Sequence, residues 1–151
     1  MKLETFLVRA KVACYADGGG EARVLDDGSK ELTFQEGEFQ YRDRYLGFDP
    51  FVGEEVVWHA GRVVWAMNYY GAAVEGSVPA GQVYQFLQKA MGRVQEERPF
   101  RGPRSLVEGD WQYLDESEGD SGRFRGVERI LYQGREVYRL DYHGGSVGAG
   151  E

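Results

Sequence analysis

The chain has 151 residues, the length of one ordinary domain, and 42% of them are hydrophobic, enough for one core and too many for a disordered segment. Eighteen Lys and Arg stand against 25 Asp and Glu, a formal charge of −7 that argues against a direct nucleic-acid partner. One cysteine and two histidines exclude a disulfide scaffold and a zinc finger, and no apolar run is long enough for a membrane helix.

The chain opens on Met1-Lys2-Leu3-Glu4-Thr5 with no apolar signal region, which reads as cytoplasmic. Leu3, Phe6, Leu7, Ala10, Ala13 and Cys14 then fall on one helical stripe, predicting a helix that ends near Asp17-Gly18. Cys14 lies on that stripe as a small core residue, not a nucleophile. Gly18-Gly19-Gly20 lacks the Gly-Lys-Ser/Thr ending of a phosphate-binding loop and reads as a connector, continued by Asp26-Asp27-Gly28-Ser29. Three strands are predicted at 38–46, 51–59 and 62–70, with a tight turn at Ala60-Gly61. Ser77 and Pro79 signal a second helix, with the stripe Val83, Phe86, Leu87, Ala90, Met91 and Val94. Arg98-Pro99-Phe100-Arg101-Gly102-Pro103-Arg104, flanked by Glu96 and Glu97, reads as a proline-stiffened surface loop more readily than as an anion site. Strands at 110–116, 123–132 and 135–143 follow, the last two joined at Gln133-Gly134, and residues 148–151 are expected to be a flexible tail.

The second half repeats the first. Glu36-Gly37 and Gln40-Tyr41 match Glu108-Gly109 and Gln112-Tyr113, Asp43 matches Asp115, and Gly47 matches Gly119. After a one-residue insertion Phe51, Gly53 and Glu55 meet Phe124, Gly126 and Glu128, and Tyr69 meets Tyr142. There are 15 identities over positions 36–74, where composition alone would give roughly two to four. Phe6-Leu7 and Ala10 parallel Phe86-Leu87 and Ala90. The expectation is one α+β domain over 1–151, an internally duplicated αβββ unit (1–75 and 76–147). It has one antiparallel sheet of about six strands, two helices on one face and a pseudo-twofold axis.

Alternation assigns Phe39, Tyr41, Asp43 and Tyr45 to the dry face, with Glu55 between Phe51 and Val57 and Glu128 between Phe124 and Ile130. A carboxylate on a dry face costs several kcal/mol unless something compensates it. One explanation is an internal partner: a tyrosine hydroxyl, a turn amide, or an arginine such as Arg62 or Arg135. The other is a ligand pocket near the pseudo-twofold axis, lined by Tyr41, Glu55, Tyr69, Tyr113, Glu128 and Tyr142. Acidic groups in an aromatic surround suit a cationic or polyhydroxylated small molecule.

An enzyme would have to use Glu55 with Glu128, or Asp141 with His143, as acid and base. Symmetric carboxylates have little to drive their pKa values apart, and no G-x-S-x-G nucleophile elbow is present. His59 and His143 are too few for a metal centre, so neither a metal nor a cofactor is expected. Trp58, on the wetter face, marks a surface for a homodimer or for a ligand.

Ala10-Lys11, Cys14-Tyr15-Ala16, Tyr41-Arg42-Asp43-Arg44-Tyr45-Leu46-Gly47, Met67-Asn68-Tyr69-Tyr70-Gly71 and Arg98-Pro99-Phe100-Arg101-Gly102-Pro103 resemble a bacterial domain family of unknown function. That family occurs alone or C-terminal to a helix-turn-helix regulator, although no such module is visible in this sequence. The resemblance assigns no activity or site residue; it implies an effector sensor or a dimeriser. The expected function is therefore a non-catalytic, sensor-like binding domain, with an enzyme or a structural dimerisation module as alternatives.

Overall fold

The protein, described here by a computed structural model over residues 1–15 and 21–148, is mostly β, with 54% strand and 17% helix. Helix α1 (Leu3–Tyr15) precedes β1 (Arg23–Val24), β2 (Lys30–Glu36), β3 (Phe39–Gly47), β4 (Phe51–His59) and β5 (Arg62–Ala73). Helix α2 (Ala80–Met91) precedes β6 (Ser105–Glu108), β7 (Trp111–Asp120), β8 (Arg123–Tyr132) and β9 (Arg135–Ser146). All nine strands form one antiparallel sheet in the order β1-β2-β3-β4-β5-β9-β8-β7-β6. The expected α+β domain with about six strands is thereby corrected. The triple glycine, the expected end of the first helix and the last three residues of the expected tail lie outside the described residues.

The three additional strands are peripheral and carry little apolar signal. In β2 only Leu32 and Phe34 point inward, and in β6 only Leu106 is buried. Both are defined instead by their hairpins. Gly37 (φ 60°) turns β2 into β3, and Gly109 (φ 58°) turns β6 into β7. The repeated Glu-Gly pair is thus a turn signal, since glycine adopts positive φ at no steric cost.

Pairing across the middle of the sheet is reciprocal. Tyr69 faces Tyr142, Met67 faces Gly144 and Gly71 faces Leu140, so each position opposes the counterpart of its partner. Bulges at Val57/Trp58 and Ile130/Leu131 match, as do the left-handed turn residues Ala60 (φ 49°) and Gln133 (φ 52°). Helices α1 and α2 touch each other, and each lays a phenylalanine on its own half of the sheet. Phe6 stacks 4.9 Å from Phe39, and Phe86 lies 5.4 Å from Trp111. Pro79, not Ser77, occupies the position before α2; the Ser77 hydroxyl donates to the Val74 carbonyl instead. Among the described residues no helix is long and apolar enough to cross a membrane.

Gly53 faces Tyr69 across the β4–β5 ladder, and Gly126 faces Tyr142 across β8–β9. Each tyrosine lies flat over its glycine, where a Cβ would stand 2.2 Å from the hydroxyl oxygen. Gly53→Ala should therefore cost about 1–3 kcal/mol through overpacking. Gly81→Ala in α2, where a Cβ meets open space, should be neutral or stabilising by up to about 1 kcal/mol. Urea denaturation of the two variants checks the contrast.

Candidate functional site

The strand registers place two pairs of carboxylates side by side beneath the helices. Asp43 on β3 faces Glu55 on β4, and Asp115 on β7 faces Glu128 on β8. All four are buried. Directly opposed like charges destabilise a sheet, and burial raises that cost. Burial first and the Glu55 charge second push the Asp43 carboxyl up to about 6. Burial and then Glu128 push Asp115 up to about 7.

In the first half the compensating groups come from α1 and β5. Lys11 Nζ stands 2.8 Å from Glu55 Oε1, both fully buried, and donates to the Phe100 carbonyl. The Lys11 ammonium and the Glu55 carboxylate thus form a close ion pair held entirely out of water. Burial pulls the Lys11 pKa down and Glu55 opposes that pull. Among the described residues no cation forms an ion pair with Asp43. It accepts from the Tyr15 hydroxyl and, at 2.5 Å, from the Tyr69 hydroxyl. The Tyr41 hydroxyl lies 3.3 Å from that of Tyr15.

In the second half the groups come from the segment after α2. Arg101 grips Glu128 with two parallel hydrogen bonds, Nε to Oε2 at 3.1 Å and Nη2 to Oε1 at 2.9 Å. Tyr113 and Tyr138 add hydroxyl bonds to the same carboxylate at 2.5 and 2.7 Å. Tyr142 donates to Asp115 at 2.7 Å, and Arg98 Nη2 lies 3.5 Å from the same oxygen. Arg98 also donates through Nε and Nη2 to Ser117 Oγ, at 3.1 and 2.9 Å. Burial holds the Tyr113, Tyr138 and Tyr69 hydroxyls well above their usual pKa, so they stay protonated donors.

The segment read from sequence as a surface loop is a structural insert. Arg98, Pro99, Phe100, Arg101, Gly102 and Pro103 are all buried, and the Arg101 guanidinium also lies 5.3 Å over the Tyr69 ring of the other half. Arg62 and Arg135, named as internal partners, are exposed beside the hairpin turns. The actual cations, Lys11 and Arg101, had one legible signal. Lys11 continues the apolar stripe that runs from Leu7 to Cys14, a place where a lysine needs a partner.

All six predicted site residues, Tyr41, Glu55, Tyr69, Tyr113, Glu128 and Tyr142, are buried under the helices. They do not share one pocket. A cavity of about 250 Å³ lies between α1, α2 and the first half of the sheet, walled by Asp43, Tyr45, Phe51, Tyr69, Tyr84 and Arg101 among others. A wider trough of about 950 Å³ runs along the uncovered face past Asn68, Tyr70, Arg125, Asp141 and His143. Tyr69 borders both and Tyr142 the trough, whereas Tyr41, Glu55, Tyr113 and Glu128 line neither.

Asp141 and His143 are exposed, and no hydrogen bond joins them among the described residues. The Cys14 thiol, on the cavity wall, is pushed up to about 12, first by burial, which leaves almost no thiolate at neutral pH. Among the described residues no three His, Cys, Asp or Glu side chains gather as a metal set. Trp58 is half-buried beneath the Arg42 guanidinium, 5.0 Å away.

The sequence profile of a domain of unknown function, DUF5680, matches residues 43–147. The chain belongs to the DUF5680 family. Both carboxylate pairs, Arg98 and Arg101 fall within the DUF5680 match; Lys11 and Tyr15, on α1, precede it. No curated protein and no solved structure matches the chain.

Removing one member of a buried ion pair leaves an uncompensated charge, at a cost of about 3–5 kcal/mol. Arg101→Met and Lys11→Met should each lose stability on that scale. Lys11→Met combined with Glu55→Gln should lose much less than the single lysine change, as measured by chemical denaturation. A second expectation concerns pH. Both aspartates have folded pKa values above the ordinary 3.8, so between about pH 4 and 7 the native state holds protons that the unfolded chain has released. Their contribution to stability is thus full at low pH and is lost as pH rises through about 6 and 7. Relative to the parent, Asp43→Asn should gain stability from about pH 4 to 6 and Asp115→Asn from about pH 4 to 7, each levelling off above, read as urea midpoints at each pH.

Proposed function

We propose that this DUF5680 chain is a small-molecule-binding domain without chemistry of its own, and that the ligand occupies the cavity beside Asp43. The observation that carries this reading is that Asp43, unlike Glu55, Asp115 and Glu128, lines the cavity between the helices and the sheet. Aromatic and aliphatic side chains, including Leu32, Phe51, Leu87 and Met91, make up much of the wall, with Asp43, Tyr69 and Arg101 as polar points. Many apolar contacts with a few fixed polar groups are the usual make-up of a binding site. At about 250 Å³ the cavity falls below the range of about 300–1,000 Å³ typical of drug-sized ligands, which favours a small metabolite.

Cys14 and Tyr15 of α1 and Tyr84, Leu87, Gln88 and Met91 of α2 wall the same space. Occupancy would therefore be felt by both helices at once, in keeping with a sensor-like role and with the helix-turn-helix context that the resemblance implies. The reciprocal pairing of Tyr69 with Tyr142 and the matched bulges support an origin of the two halves by duplication. Acid–base catalysis by Glu55 and Glu128 has less support, because both are fully buried against internal cations.

Screening a fragment library against the isotope-labelled protein tests the reading. Hits should shift the resonances of Tyr45, Phe51 and Tyr84, and at 100 times Kd they should stabilise the fold by about 2.7 kcal/mol. Gln88 lies exposed on the cavity wall. Gln88→Trp should abolish those shifts while changing stability by less than about 0.5 kcal/mol. Hits confined to Tyr70 and His143 on the uncovered face, or no hits, would refute this assignment.

A further inference from the structure

The two halves fill equivalent space differently. In the second half the hollow above Asp115 is occupied by the protein itself. The Arg98 guanidinium lies beside Asp115 and is held by Ser117, while the Phe100 ring stacks on Phe124 with centroids 4.0 Å apart and an interplanar angle of 14°. Phe100 also lies 6.1 Å from the Tyr142 ring. A cationic head and a flat apolar ring, two residues apart in the chain, together plug the site.

Transferred through the repeat, the residues that touch this plug, Asp115, Ser117, Phe124 and Tyr142, become Asp43, Tyr45, Phe51 and Tyr69. All four of these line the 250 Å³ cavity. The cavity is thus the first-half counterpart of the space that Arg98 and Phe100 occupy. Among the described residues nothing brings a cation of its own to Asp43, because Lys11 is committed to Glu55 and Arg101 to Glu128.

The buried charge reflects the same asymmetry. Among the described residues four carboxylates, Asp43, Glu55, Asp115 and Glu128, and three cations, Lys11, Arg98 and Arg101, are buried. The carboxylate left over is the one that opens on the cavity.

We infer that the cavity recognises a small organic cation, an amidinium, guanidinium or ammonium head joined by a short link to a flat apolar group. Its head would pair with Asp43 as Arg98 pairs with Asp115, and its flat group would lie on Phe51 as Phe100 lies on Phe124. Tyr45 and Tyr84 offer further aromatic faces to the cation and to the ring. Among the described residues the one cation on the cavity wall, Arg101, is already gripped by Glu128, so an anionic ligand would meet Asp43 with no uncommitted cation to offset it. This inference rests on the proposed binding function and adds the ligand's chemical class to it.

Benzamidine carries both elements of the plug, and phenylethylamine carries an ammonium version of them. Benzamide and benzoate keep the ring with a neutral or an anionic head. Titration of the intact protein, followed by calorimetry and by the Tyr45, Phe51 and Tyr84 resonances, should give binding of the two cations. Benzamide should bind at least about tenfold more weakly than benzamidine, the scale of one charge-assisted hydrogen bond. Asp43→Asn should weaken benzamidine by a similar factor, while Asp115→Asn, whose hollow is already plugged, should leave its affinity unchanged. The inference is overturned if neither cation binds, if benzamide equals benzamidine, or if Asp43→Asn retains full affinity. The comparison of the probes on the parent protein decides the matter even where a variant folds poorly. If neutral or anionic fragments still shift the cavity resonances, only the ligand class has failed. If no compound of any charge shifts them, the binding function fails with it.

Discussion

Four carboxylates held out of water on the covered face of one sheet set the terms for the rest of this structure. Asp43 lies against Glu55 and Asp115 against Glu128, each pair on neighbouring strands, so no strand can relieve the charge by turning outward without also exposing its apolar residues. Compensation has to come from above. Lys11 reaches down from α1, and Arg98 and Arg101 reach in from the segment behind α2. Because Lys11 also donates to the Phe100 carbonyl and Arg101 lies over Tyr69, the same contacts tie the helix layer to the insert and one half of the sheet to the other.

Matched apolar side chains of similar volume would often serve stability as well as buried ion pairs do. The ion pairs of this arrangement are therefore weak evidence about its stability. Its asymmetry is the informative part. In the second half every buried carboxylate has an arginine at hand, and Phe100 closes the space above them. In the first half two tyrosine hydroxyls serve Asp43 and a cavity opens beside it. On the proposed reading, the open half would take a ligand that resembles the plug of the other half.

Much of the framework was legible in the residues. The apolar stripes of α1 and α2, the six long strands and the turns at Ala60-Gly61 and Gln133-Gly134 all stand in the sequence, because period and glycine placement are local properties. The three outer strands were not, since β1 has two residues, β6 has one buried side chain and β2 has two inward apolar ones. Such strands are made by the neighbour they pair with. Those three outer strands turned an expected α+β domain of about six strands into a mostly β protein.

The site divides along the same line. That Glu55, Glu128, Asp43 and Asp115 occupy a dry face followed from alternation and from the repeat, both local. Which cation meets each of them did not follow. Lys11 and Glu55 are 44 positions apart, Arg101 and Glu128 are 27 apart, and each contact exists only once the helices and the insert have docked on the sheet. The sequence by itself determined that charge would be buried, and where along each strand. Tertiary structure alone decided which carboxylate would be left to face a cavity, because that depends on how far Arg98, Arg101 and Lys11 can reach in three dimensions.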